Sequence, residues 1–175
     1  MICVGEKISQ FNLPGFYSGK TKSYSNSDFK GKWWILFFYP KDFTFVCPTE
    51  VIGFSKRMED FKKLKVEVLG ISCDPPATHQ AWAKELGGIN YPLLSDEDKK
   101  LSQQLNVLHT EENLPLRATF IIDPQGVIQY EMISHTNVGR SVDETYRVVA
   151  ALQTGRMCPA DWKPGEDTFD VSNKY

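Results

Sequence analysis

Residues 33–39, Trp-Trp-Ile-Leu-Phe-Phe-Tyr, are apolar without interruption. A strand exposed on one face would alternate, so this run reads as a strand covered on both faces, and the chain must fold in layers around it. Pro40 and a short loop follow, then Cys47 and Pro48, and then Val51, Phe54, Met58, Phe61 and Leu64 at intervals of three or four. That spacing is the inner stripe of a helix. Cys47 is therefore expected at or just inside a helix N-terminus, where unpaired backbone N–H groups and the positive end of the helix dipole favour a sulfur anion. The anion is the nucleophilic form of cysteine.

Further along, residues 66–72 form a second buried strand that ends at Asp74-Pro75-Pro76. Residues 77–86 are good helix formers around Trp82, and Gly87-Gly88 stops them as a C-terminal glycine does. A short helix fits 97–105, with Leu101 and Leu105 on one face. Two strands, 116–123 and 127–133, are joined by Asp123-Pro124-Gln125-Gly126, a β-turn sequence that predicts a hairpin. Ser141 followed by Glu144 has capping-box spacing and opens a helix through Ala151, with Val142, Tyr146, Val149 and Leu152 as its inner stripe. The order of elements is that of a thioredoxin-like α/β sandwich: a mixed central sheet with helices on both faces, a short N-terminal extension and a C-terminal tail over 155–175. No linker or repeat divides residues 1–175, which are read as one domain.

The chain has 175 residues, a net charge of -2 and 24% charged residues, so neither nucleic acid nor an anionic membrane is expected as a partner. No apolar stretch approaches a membrane span, and Met1 to Glu6 lack the pattern of a secretory signal, which makes the cytoplasm the expected compartment. Four cysteines, at 3, 47, 73 and 158, include no C-x-x-C pair, and neither they nor the histidines at 79, 109 and 135 have metal-ligand spacing. No cofactor and no metal is expected. Cys73 reads as a small buried hydrophobe and Cys3 as an incidental N-terminal thiol.

Residues 38–50, FYPKDFTFVCPTE, resemble the active-site signature of the peroxiredoxins, and residues 157–162, MCPADW, resemble the resolving-cysteine segment of their typical two-cysteine class. Residues 68–74, 117–123 (RATFIID) and 138–144 (VGRSVDE) are similar to the same family, so the likeness extends from about Gly5 to Lys174. The chain is identified as a member of the alkyl hydroperoxide reductase group of that class. The resemblance implies a peroxide pocket of Pro40, Thr44, Cys47 and Arg117, with Glu50 ordering a second arginine, Arg140. Cys47 would attack hydrogen peroxide or an organic hydroperoxide, the Thr44 hydroxyl would hold the peroxide oxygens in line, and Arg117 would stabilise charge. Pro40 would shape the loop and shield the sulfur. The resulting sulfenic acid would condense with Cys158 of another subunit, and a thioredoxin-like or flavoprotein disulfide reductase would reset the enzyme. A homodimer follows from the resemblance, with five dimers able to close into a decameric ring.

Two rivals share these residues: a general dithiol exchanger, disfavoured by the missing neighbouring cysteines, and a redox-regulated holdase or peroxide sensor. The segment Gly87-Gly88-Ile89-Asn90 and a chain ending at Tyr175 depart from the pattern of easily overoxidised members, so a robust enzyme is expected. Residues 109–115, HTEENLP, also depart from the family's usual approach to the pocket arginine.

Overall fold

The computed structural model describes residues 3–169; the features read from Met1, Ile2 and Tyr175 lie outside the described residues. It divides into two compact units, Met1–Arg140 and Ser141–Tyr175. In the first, the doubly apolar run becomes β3 (Trp33–Phe38). Its neighbours are the parallel β4 (Val66–Ser72) and the antiparallel β6 (Arg117–Ile122). With β1 (Asn12–Tyr17), β2 (Lys20–Ser25), β5 (Leu93–Ser95) and β7 (Ile128–Ser134), they make a seven-stranded mixed sheet in the order β2-β1-β5-β4-β3-β6-β7. The 116–133 segment forms the expected antiparallel hairpin of β6 and β7. The three-residue β5 had no readable pattern of its own; pairing with β1 and β4 makes it a strand.

Alternation along β3 sorts its side chains between two layers. Trp34, Leu36 and Phe38 enter a core with Leu69, Ile71, Leu94, Phe120 and Ile122. That layer is closed by Phe29 of a 3-10 turn (Asn26–Phe29) and by Leu101 of α4 (Lys100–Gln104) with Leu105 just beyond it. On the other face Phe37 stacks on Phe54 of α1 (Cys47–Lys56), their ring centroids 4.3 Å apart, and Tyr39 lies against Trp82 of α3 (Pro76–Glu85). Gly70 is required beneath this stack, since a Cβ there would meet Phe37 Cζ at 2.9 Å and Leu93 Cδ2 at 2.8 Å.

The stripe Val51, Phe54, Met58 and Phe61 is buried as its spacing predicts. It is carried by two helices, because the chain breaks at Arg57 (φ -95°, ψ 6°) between α1 and α2 (Met58–Lys63). α4 begins later than its sequence pattern, after Lys99 at φ 60°. There the Asp96 carboxylate accepts from the N–H groups of Leu101 and Ser102 and fixes the helix start.

The second unit holds α5 (Val142–Gln153) and the segment that follows. Ser141 caps α5 by accepting from the Glu144 N–H at 3.1 Å. The Glu144 carboxylate takes the Arg147 guanidinium at 2.6 and 2.7 Å, so the capping box acts through its serine. The buried positions are Thr145, Val148, Val149 and Ala150, while Val142, Tyr146 and Leu152 are half-buried, a stripe rotated from the expected one.

Candidate active site

Burial of the β3 run delivers the chain to Pro40 just past the C-terminal end of that strand, and Pro40 is itself buried. Seven residues later Cys47 starts α1, fully buried. Val46, which precedes the helix, has no polar side chain to cap it, and Pro48 lacks an N–H. Tyr91 holds the helix from below, donating its hydroxyl to the Val51 carbonyl at 2.7 Å; burial raises this phenol well above its ordinary range.

Arg117 opens β6 on the face that Thr119 and Ile121 share, directed at α1. Its Nη1 lies 3.3 Å from Cys47 Sγ and 2.5 Å from Glu50 Oε2, and its Nε donates to the Thr136 carbonyl at 2.8 Å. The other oxygen of Glu50 accepts from the Arg140 backbone N–H at 2.8 Å and from Arg140 Nε at 2.9 Å. Arg140 further donates to the Ala118 carbonyl at 2.7 Å, to Thr119 Oγ1 at 3.1 Å and to the Phe38 carbonyl, and its guanidinium sits over the Phe37 ring. Burial pulls the Arg140 guanidinium below the usual arginine range, and the Glu50 carboxylate opposes that pull. One carboxylate thus divides its two oxygens between two buried arginines, and one of those arginines also touches sulfur.

The structure brings Cys47, Glu50, Arg117 and Arg140 into direct contact. Thr44 is half-buried on the loop before α1, its hydroxyl donating to the Lys41 carbonyl at 3.0 Å. Cys158 belongs to the second unit, half-buried, with Sγ 3.6 Å from Thr154 Oγ1; all four cysteines are free thiols. The divergent 109–115 segment closes on itself through a bridge of Leu108 with Pro115 and a bond from the His109 N–H to the Leu114 carbonyl, just before Arg117.

Sequence reasoning missed one polar group here. His79, on α3, is fully buried with Nδ1 2.7 Å from Asp42 Oδ2, and Asp42 lies on the loop between Pro40 and Cys47. The available signal was Asp42 itself, a carboxylate inside an apolar, aromatic segment, which needs a partner if it is buried.

Residues 4–131 match the profile of the AhpC/TSA family. The chain is 49% identical to peroxiredoxin-2 of Macaca fascicularis over 98% of its own length and 94% of that protein. The crystal structure of the reduced 2-Cys peroxiredoxin of Plasmodium vivax superposes with a TM-score of 0.89 at 37% identity, covering 94% of this chain and 91% of that one. AhpC of Mycobacterium tuberculosis gives 0.84 at 34% identity, covering 93% and 99%. Among the described residues no helix is long and apolar enough to cross a membrane. The sheet order, the buried cysteine at a helix start and this likeness over nearly the whole chain agree: the protein belongs to the AhpC/TSA family and is a peroxiredoxin, a thiol-dependent peroxidase.

Proposed function

We propose that Cys47 is the sulfur that attacks peroxide and that Cys158 of a second subunit resolves it. The observation that carries the reading is the Arg117 Nη1 contact with Cys47 Sγ at 3.3 Å, made by a guanidinium that Glu50 holds in place. Arg117 and Arg140 bring two positive charges and Glu50 one negative, all buried. A neutral thiol leaves that set with an uncompensated positive charge in a dry site, and a thiolate balances it. The start of α1 adds the helix dipole in the same sense.

The thiolate attacks one oxygen of the hydroperoxide. The S–O bond forms as the O–O bond breaks, the departing oxygen takes a proton and leaves as water or an alcohol, and the sulfur is left as a sulfenic acid. Among the described residues no partner takes the two Arg117 Nη2 hydrogens, which suits them to the charge that develops on the departing oxygen. The Thr44 hydroxyl, three residues before the sulfur, orients the peroxide, and Pro40 excludes water. Condensation of the sulfenic acid with the Cys158 thiol then releases water and forms the disulfide. A separate dithiol, on a thioredoxin-like protein or a flavoprotein reductase, reduces that disulfide by exchange. Because Cys47 is buried in a helical turn, the turn must open before two sulfurs can meet at about 2 Å. A two-fold dimer, able to assemble as a ring of five, supplies the crossing tail. The cytoplasm, where thiols are kept reduced, suits the cycle.

The test is peroxide consumption with a thioredoxin system, followed by non-reducing electrophoresis. Cys47→Ser is expected to abolish consumption, and Cys158→Ser to permit one turnover and then stall. A dimer band that needs both cysteines supports the intersubunit disulfide. Oxidation of one equivalent without recycling would replace the enzyme reading with that of a sensor.

A further inference from the structure

Asp42 is 1% exposed, and three residues from different parts of the chain meet it. Its Oδ1 accepts from the Tyr39 hydroxyl at 2.8 Å, its Oδ2 meets His79 Nδ1 at 2.7 Å, and its backbone N–H donates to Asp74 Oδ2 at 2.9 Å. Asp74 is held in turn by the Ser72 hydroxyl at 2.7 Å. On the far side of the imidazole, Nε2 lies 3.0 Å from the Leu94 carbonyl. A carbonyl only accepts, so Nε2 carries a hydrogen, and a single proton is shared between Nδ1 and the Asp42 carboxyl. The ring is thereby fixed at both ends between β5 and the loop.

The loop itself resists this conformation. Phe43, next to Asp42, has φ 55°, a left-handed backbone that a bulky residue adopts only when its surroundings impose it. Its side chain is about half exposed, with one face of the ring toward Trp82 of α3, centroids 6.2 Å apart, and the other in solvent. Thr44 turns back to bond the Lys41 carbonyl, which leaves Asp42 as the fully buried tie between the strained turn and the sheet.

We infer that His79 is a positioning residue which, through Asp42, latches the strained 40–47 loop in the conformation that presents Thr44 and Cys47 to peroxide, and so sets how readily that loop opens for disulfide formation. The inference rests on the reading of Cys47 as the peroxide-attacking sulfur. Loss of the imidazole leaves a buried carboxylate short of one strong hydrogen bond, and the strain at Phe43 then favours opening. A latch released too easily lowers the fraction of protein able to react with peroxide. It also lets the sulfenic acid reach its partner thiol before a second peroxide converts it to sulfinic acid and water.

The test uses the full chain with His79→Gln, Asp42→Asn and the double substitution. Asp42→Asn keeps the shape of the loop residue and serves if His79→Gln folds poorly. Amide hydrogen exchange over residues 41–47 is expected to speed up by roughly tenfold in each single variant, with residues 66–72 of β4 unchanged. At high peroxide the ratio of sulfinic acid to disulfide at Cys47, read by mass spectrometry, is expected to fall severalfold. The double variant should be no worse than the poorer single one, because both remove the same tie. Unchanged loop exchange, or an unchanged oxidation ratio in a protein whose Cys47 does react, overturns the latch. If Cys47 of the unsubstituted protein ignores peroxide, the functional reading fails instead, while the exchange measurement still decides whether His79 holds the loop.

Discussion

Cys47 and Cys73 follow neighbouring parallel strands of one sheet, β3 and β4, the first buried and the second half-buried, and their sulfurs face opposite charge. At Cys47 the near group is the Arg117 guanidinium at 3.3 Å. At Cys73 burial and then the Asp96 carboxylate push the thiol up to about 11, with Lys99 opposing and Asp74 adding to the rise. On the proposed reading, a place beyond a strand end does not by itself make a cysteine reactive. What differs is a cation brought by β6 in one case and, in the other, carboxylates carried just beyond β4 and β5.

The strongest test of this contrast is to remove each sulfur. Cys47→Ser is expected to abolish peroxide turnover and Cys73→Ser to leave it unchanged in a coupled assay; comparable losses from both would erase the distinction. Removing the cation comes next. Arg117→Gln should lower the second-order rate with hydrogen peroxide by roughly 10²–10³, the cost of deleting a preorganised donor, as read by stopped-flow. A loss within a few-fold would show that the helix start alone activates the sulfur. Glu50→Gln strands two buried guanidinium groups without their shared carboxylate, so thermal unfolding should fall by roughly 10 °C. An unchanged midpoint would mean that backbone carbonyls suffice to hold Arg140.

Cys73 gives the smallest effect, through pH. Its folded value of about 11 lies above the ordinary thiol value of 9.0, so the folded state binds more protons than the unfolded one between those values. Its contribution to stability is full below pH 9 and is lost as pH rises toward 11. Cys73→Ala should flatten that part of the alkaline stability profile in urea titrations, and an identical slope would contradict the upward shift that burial and Asp96 give this thiol.

Much of this contrast is readable from the chain. The uninterrupted apolar run requires β3, the three-and-four spacing sets α1, and together they place Cys47 at a helix start without a coordinate. The partners of the sulfur are less readable. Arg117 stands out locally as a charge at the head of an apolar strand, but its contact with Cys47 spans 70 residues and depends on β6 pairing with β3. Asp96 beside Cys73 depends on β5, a strand too short to show periodicity. His79 escaped because a lone histidine on a helix carries no pattern, and its meaning comes only from Asp42 across the fold. Local periodicity specifies the elements; long-range pairing decides which charge reaches which sulfur.

The most direct test is to expose the full-length reduced protein to one equivalent of hydrogen peroxide with a sulfenic-acid trap and to locate the adduct by peptide mass spectrometry. An adduct on Cys47 and none on Cys73 is the expected result. An adduct on Cys73, or a Cys47 left unlabelled while peroxide disappears, would contradict it.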